Sequence, residues 1–182
     1  MFTDGRSKRV LFLAHCALNQ NAISDGTADY PGAHGDLLRL LLEQGVGLVQ
    51  LPCPELRCLG LDRGDPRGGS RPVVVENTRI RGEMSRPAAQ ETLDGLVEEV
   101  LCQAREYRKH GFQLVGVVGM NRSPCCGVES TSREDREVPG QGVFMEKLLA
   151  AFRAEGMEVP AVGIKAGPEG LEKVRGLIEG RS

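Results

Sequence analysis

The sequence predicts an α/β domain of three layers, α/β/α, built on a mainly parallel, Rossmann-like sheet of about four strands. Two observations carry this. Short apolar runs alternate with longer stretches of helical periodicity along the chain. The runs are also apolar at successive positions, as strands covered on both faces require.

The first strand is read from "RVLFLAHC" (9–16), which ends in polar "NQN". A leucine-rich helix follows in "HGDLLRLLLEQG" (34–45), stopped by Gly45, with His34 at its start. "VGLVQLPC" (46–53) is the second strand. Between 86 and 110, Pro87 opens a helix whose apolar face runs through Leu93, Leu96, Val97, Val100, Leu101, Ala104 and Tyr107. "FQLVGVVGM" (112–120) is strand three, "GVFMEKLLAAFRAEG" (142–156) a helix, "VPAVGIKA" (159–166) strand four and "GPEGLEKVRGLIEG" (167–180) the last helix. Two stretches break the rhythm: residues 59–85, scattered with Gly, Arg and Pro, and the polar 128–140. Both are expected as loops, the first as a long loop or crossover insertion.

A chain of 182 residues fits one domain, 1–182. Its net charge of −2 leaves no electrostatic footprint for a nucleic-acid polymer or an anionic membrane surface. No apolar run approaches the roughly 20 residues of a membrane span, and the short run after "TDGRSKR" makes a poor signal peptide. A cytoplasmic protein is expected, and nothing specifies its oligomeric state. In that compartment the six cysteines point to metal binding or catalysis rather than a disulfide framework.

Their placement sharpens the point. Cys16 ends the first strand, Cys53 the second, and "NRSPCCGVE" (121–129) puts Cys125 and Cys126 just past the third. The carboxyl ends of parallel strands share one edge, where ligands bind, and neighbouring strands lie about 4.8 Å apart. Thiols 37 and 72–73 residues apart in sequence can therefore converge. Cys102, mid-helix, is read as a packing residue, and Cys58 stays unassigned. Of the adjacent pair one member is expected in the site, Cys126 rather than Cys125, because Gly127 lets the backbone approach a bulky cofactor. His15 precedes Cys16 and is expected to point away from it. Three thiolates fit an iron–sulfur cluster with one iron left open, or with a fourth ligand a zinc site. A metal-free alternative is a thiol-redox or thiol-transfer protein with a reactive Cys125 or Cys126. No P-loop and no strand-linked "GxGxxG" is present.

"PCPEL" after the second strand and "SPCCG" after the third resemble the "CPE" and "SPSCG" motifs of the TudS-like thiouracil desulfidase family. "HCALNQNA" is similar to the first-strand cysteine motif of a divergent branch of it. Cys125 stands where that family has Ser. The resemblance implies a [4Fe–4S] cluster held by Cys16, Cys53 and Cys126, and an open iron acting as Lewis acid on the C=S sulfur of a small thiolated substrate. In that setting Glu55, two residues from a ligand, is the candidate to activate water. Ser123 joins it as a catalytic candidate, with Asn19, Asn121 and Arg122 as candidates to bind the substrate. The remaining alternative is a non-catalytic domain with a structural zinc.

Overall fold

The computed structural model describes residues 2–181. Its centre is a four-stranded sheet in the order β2-β1-β3-β6, with every pairing parallel. The strands are β1 (Arg9–Leu13), β2 (Gly47–Gln50), β3 (Gln113–Met120) and β6 (Ala161–Ile164). A separate antiparallel hairpin pairs β4 (Ser130–Arg133) with β5 (Arg136–Pro139). The helices are α1 (His15–Leu18), α2 (Gly35–Glu43), α3 (Pro54–Leu59), α4 (Val73–Met84), α5 (Pro87–Lys109), α6 (Val143–Ala154) and α7 (Pro168–Ile178).

The expected three layers are present, and β1 shows why. Its side chains alternate between two separate apolar clusters. Val10 and Phe12 join Leu93, Leu96 and Val100 of α5 and Phe144, Leu148 and Phe152 of α6. Leu11 and Leu13 join Leu37 and Leu41 of α2 and Val174 and Leu177 of α7. A strand whose every residue meets a helix has no polar face, so its sequence reads as a continuous apolar run.

The departures lie at the ends and in the connections. The strands stop early. β1 ends at Leu13 and β2 at Gln50, because Cys16 already lies in the short helix α1 and Cys53 is the N-cap of α3. Residues 59–85 are not one long loop: they contain a 3-10 turn at Gly68–Ser70 and the whole of α4. That helix is weakly amphipathic, and its buried Glu76 and Asn77 obscure the apolar period that Ile80 and Met84 carry. The polar stretch 128–140 is the β4–β5 hairpin. Thr131 and Ser132 are buried in it against α4, so its polarity marks hydrogen bonding rather than solvation. Cys102 is exposed on α5 instead of packing. The apolar face of α5 passes through Val100, Leu101 and Ala104 and leaves position 102 outside it.

Candidate functional site

Because β1 is followed by β2 on one side and, later, by β3 on the other, the strand order reverses beside β1. A crevice opens at such a switch point, outside the carboxyl ends of the strands. Here it is a cavity of about 270 Å³. Residues just past all four strand ends line it: His15 and Cys16 after β1, Cys53 and Glu55 after β2, Asn121–Pro124 and Cys126 after β3, and Lys165 after β6.

Each cysteine has a local reason for its position. Cys16 sits in the first turn of α1, which begins two residues after β1 ends. Cys53 caps α3 through its sulfur, which accepts from the N–H of Leu56 at 3.5 Å, with Pro54 at the first helical position. Cys126 lies in a turn that folds back on β3, where its carbonyl accepts from the N–H of Met120 at 2.9 Å. Gly119 makes that return possible, since a Cβ there would come within 2.3 Å of the Cys126 carbonyl oxygen. The Ser123 hydroxyl oxygen accepts from the N–H groups of Cys125 (3.2 Å) and Cys126 (3.0 Å), so it shapes the turn that presents the thiol.

Cys125 is fully buried within the apolar cluster on the α5–α6 side of the sheet, and its carbonyl accepts from Phe144 and Met145 at the start of α6. Cys126, not Cys125, lines the cavity. The expected reason was wrong, however. Gly127 does not face the cavity; a Cβ there would lie 2.1 Å from the Ser130 carbonyl oxygen, so it serves the hairpin.

The thiols feel one another. Burial, then the neighbouring Cys53 and Glu55, pushes the Cys16 thiol up to about 12. Burial, followed by Glu55, also raises Cys53. Burial and then Cys16 and Cys53 push Cys126 well above its ordinary value. A metal-free reactive thiolate needs the reverse, a depressed pKa in an accessible position. Burial pushes both Cys125 and Cys126 the other way, so their surroundings do not favour the thiol-transfer alternative.

Glu55 is no solvated loop residue. It is the second residue of α3, buried, with Oε2 accepting from Arg63 Nε at 2.9 Å and from the Ser24 hydroxyl at 3.1 Å. Arg122 also lines the cavity. Its backbone is left-handed (φ 71°) and is clamped through its carbonyl by Ser132 (2.8 Å) and Asn77 (3.3 Å). Among the described residues its guanidinium has no hydrogen-bonded partner.

Other expectations are corrected here. Asn19 is exposed and does not line the cavity; its side chain accepts from the N–H of Asn21 and opens a 3-10 turn. The Asn121 amide is committed to the protein. Its oxygen accepts from the N–H groups of Val128, Glu129 and Ser130, and its nitrogen donates to the Gly163 carbonyl at 3.1 Å. His15 shares the cavity with Cys16, since consecutive helical residues both reach one concave wall, and its buried Nε2 has no hydrogen-bond partner among the described residues. His34 is the buried N-cap of α2, as its position implied.

The lining residues that escaped the sequence reading include Arg63, Asn77, Ser24 and Lys165. Arg63 and Asn77 sit in the stretch read as a loop. The only available signal was an arginine eight residues after Glu55, which fits a great many sequences. Among the described residues, no group of three His, Cys, Asp or Glu side chains is gathered to hold a single metal ion. A structural zinc therefore has no ready site.

No family model matches the chain. An uncharacterized protein of Methanocaldococcus jannaschii is 28% identical over 144 residues, covering 79% of this chain and 78% of the relative. A solved structure described as a [4Fe-4S]-dependent thiouracil desulfidase, TudS, aligns over 92% of this chain and 98% of that one, at 19% identity and a TM-score of 0.45. No helix among the described residues is long and apolar enough to cross a membrane.

Proposed function

We propose that this protein is a [4Fe–4S]-dependent desulfidase that removes sulfur from a thiolated nucleobase or a similar small thio-compound. One observation carries the reading: Cys16, Cys53 and Cys126, brought from three different strand ends, line one cavity at the carboxyl edge of the sheet. The donor set fits the cofactor. A cluster meets each thiolate at a different iron, so its ligands need not be gathered as tightly as those of a single ion. Mutual repulsion among the three thiols also disfavours charging them together unless a cation is bound. When bound, such a cluster supplies an iron without a protein ligand, a Lewis acid for a C=S sulfur.

The remaining work falls to the chain. The overall change is hydrolysis: water oxygen replaces sulfur at carbon, and the sulfur leaves as hydrosulfide with no net electron transfer. Glu55 is held at the wall through Oε2 by Arg63 and Ser24, and its carboxylate is the group to take a proton from the attacking water. Arg122, whose backbone is held in place and whose guanidinium is unengaged among the described residues, offers that group to a carbonyl or ring acceptor of the substrate. Ser123 holds the Cys126 turn, and its own proton is free to be donated. Ala22, Ile23, Val73, Met120 and Ile164 give the cavity an apolar wall for the ring of a small substrate.

Anaerobic purification followed by iron and sulfide analysis tests this. The expected product is brown, with about four iron and four sulfide per chain, and releases hydrosulfide from members of a panel of thiolated pyrimidines and purines. A wild-type protein that takes up no iron under reconstitution, or an iron-loaded one inert on the whole panel, overturns the proposal.

A further inference from the structure

Residues 60–64 wind through three left-handed positions, Gly60 (φ 79°), Arg63 (φ 55°) and Gly64 (φ 74°). Glycine adopts that conformation freely, whereas an arginine is disfavoured there and persists only where its surroundings hold it. The surroundings do so. The Arg63 side chain is 3% exposed. Its Nε donates to Glu55 Oε2, Nη1 to the carbonyls of Gly60 (2.8 Å) and Leu61 (3.2 Å), and Nη2 to the carbonyl of Ala22. Four of the five guanidinium N–H groups are thereby engaged. One side chain ties the turn after β1, the start of α3 and the wrap after α3 together, all at the cavity wall.

Stability alone is a poor reason for such a pair, since an apolar substitute of similar volume often serves a core as well or better. The charges point elsewhere. Arg63 and Glu55 line the same cavity as Cys16, Cys53 and Cys126, so one buried positive and one buried negative charge share the wall with the three sulfurs.

We propose that Arg63 is a positioning residue: it fixes the Glu55 carboxylate at the cavity wall and sets a stationary positive charge against the thiolate-held group. This rests on the desulfidase reading and adds to it which residues set the field at the cofactor. A fixed charge near a cluster shifts its reduction potential, because reduction adds negative charge to the centre. The test is the midpoint potential of anaerobically reconstituted wild type, Arg63→Gln, Arg63→Lys and Glu55→Gln, measured beside their iron content and melting temperatures. Arg63→Gln should move the potential negative, Glu55→Gln should move it positive, and Arg63→Lys should stay near wild type.

A pair that only buttresses the fold would lower the melting temperature and leave all potentials alike, which overturns the inference while the desulfidase reading stands. Should Arg63→Gln fail to fold, Glu55→Gln alone decides: a positive shift supports the inference and an unchanged potential overturns it. A wild type that binds no iron refutes the functional reading first, and this inference with it.

Discussion

Cys53 and Cys102 are both free thiols, and their surroundings separate their expected behaviour. Cys53 faces the shared cavity, whereas Cys102 stands exposed on α5, away from it. Cys53→Ser should lose bound iron, while Cys102→Ser should keep the full complement; iron analysis of the two purified variants checks this. In the metal-free protein, exposure alone orders their reaction with iodoacetamide. Cys102 should be labelled first and the buried Cys125 and Cys126 last, as followed by mass spectrometry against time. Arg122 supplies a sharper probe of substrate contact. Its guanidinium lacks a hydrogen-bonded partner among the described residues, so Arg122→Ala should leave iron content unchanged and weaken catalysis by about 10-fold or more in kcat/KM, roughly the value of one charged hydrogen bond. Steady-state sulfide release reads the change. An unchanged kcat/KM would remove Arg122 from the site.

At the scale of elements, α4 and the β4–β5 hairpin support the Cys126 turn from behind. Arg81 of α4 donates to the Pro124 carbonyl, the Thr131 hydroxyl and the Gln141 carbonyl, and Asn77 reaches Ser132 and the Arg122 carbonyl. The same helix carries the buried Glu76, which accepts from Arg71 and Arg79. The hydrogen bond from Arg79 is the leading reason its carboxyl lies below the ordinary 4.5, with Arg71 acting in the same direction. A carboxyl lowered on folding contributes stability above its unfolded pKa, and that contribution is lost as pH falls through the folded value. Urea midpoints between pH 7 and pH 3 should therefore fall in wild type and fall less steeply in Glu76→Gln. At pH 7 the variant should lose about 3 kcal/mol, because both arginines are left without their buried partner. A wild-type midpoint flat below pH 5 would contradict the account. These elements were the least legible in the sequence. Buried Asn, Thr and Ser look like solvated residues until their partners, 45–55 positions away, are known, and Glu76 beside two arginines reads as an ordinary surface ion pair.

For the whole molecule, the sheet holds two cores apart and delivers its four carboxyl ends to one cavity. Phe12 lies at the centre of the larger core, fully buried with its ring 5.7 Å from that of Phe152. Phe12→Ala should cost about 3–5 kcal/mol of unfolding free energy by chemical denaturation. Because β1 runs directly into the Cys16 turn, the variant should also bind iron less tightly. The succession of strands and helices was readable because it depends on local periodicity, and "RVLFL" or the apolar stripe of α5 signals its partners without naming them. The motif cysteines were readable too, since parallel strands of any order put their carboxyl ends on one edge. Tertiary structure alone decided which member of the Cys125–Cys126 pair faces the cavity, that Asn19 and the Asn121 amide serve the backbone, and that Arg63 closes on Glu55. Those outcomes depend on which group, near or far along the chain, each polar side chain meets once the backbone is folded. Side-chain hydrogen bonds, whether to a neighbour or to a segment tens of residues away, leave no period in the chain that makes them.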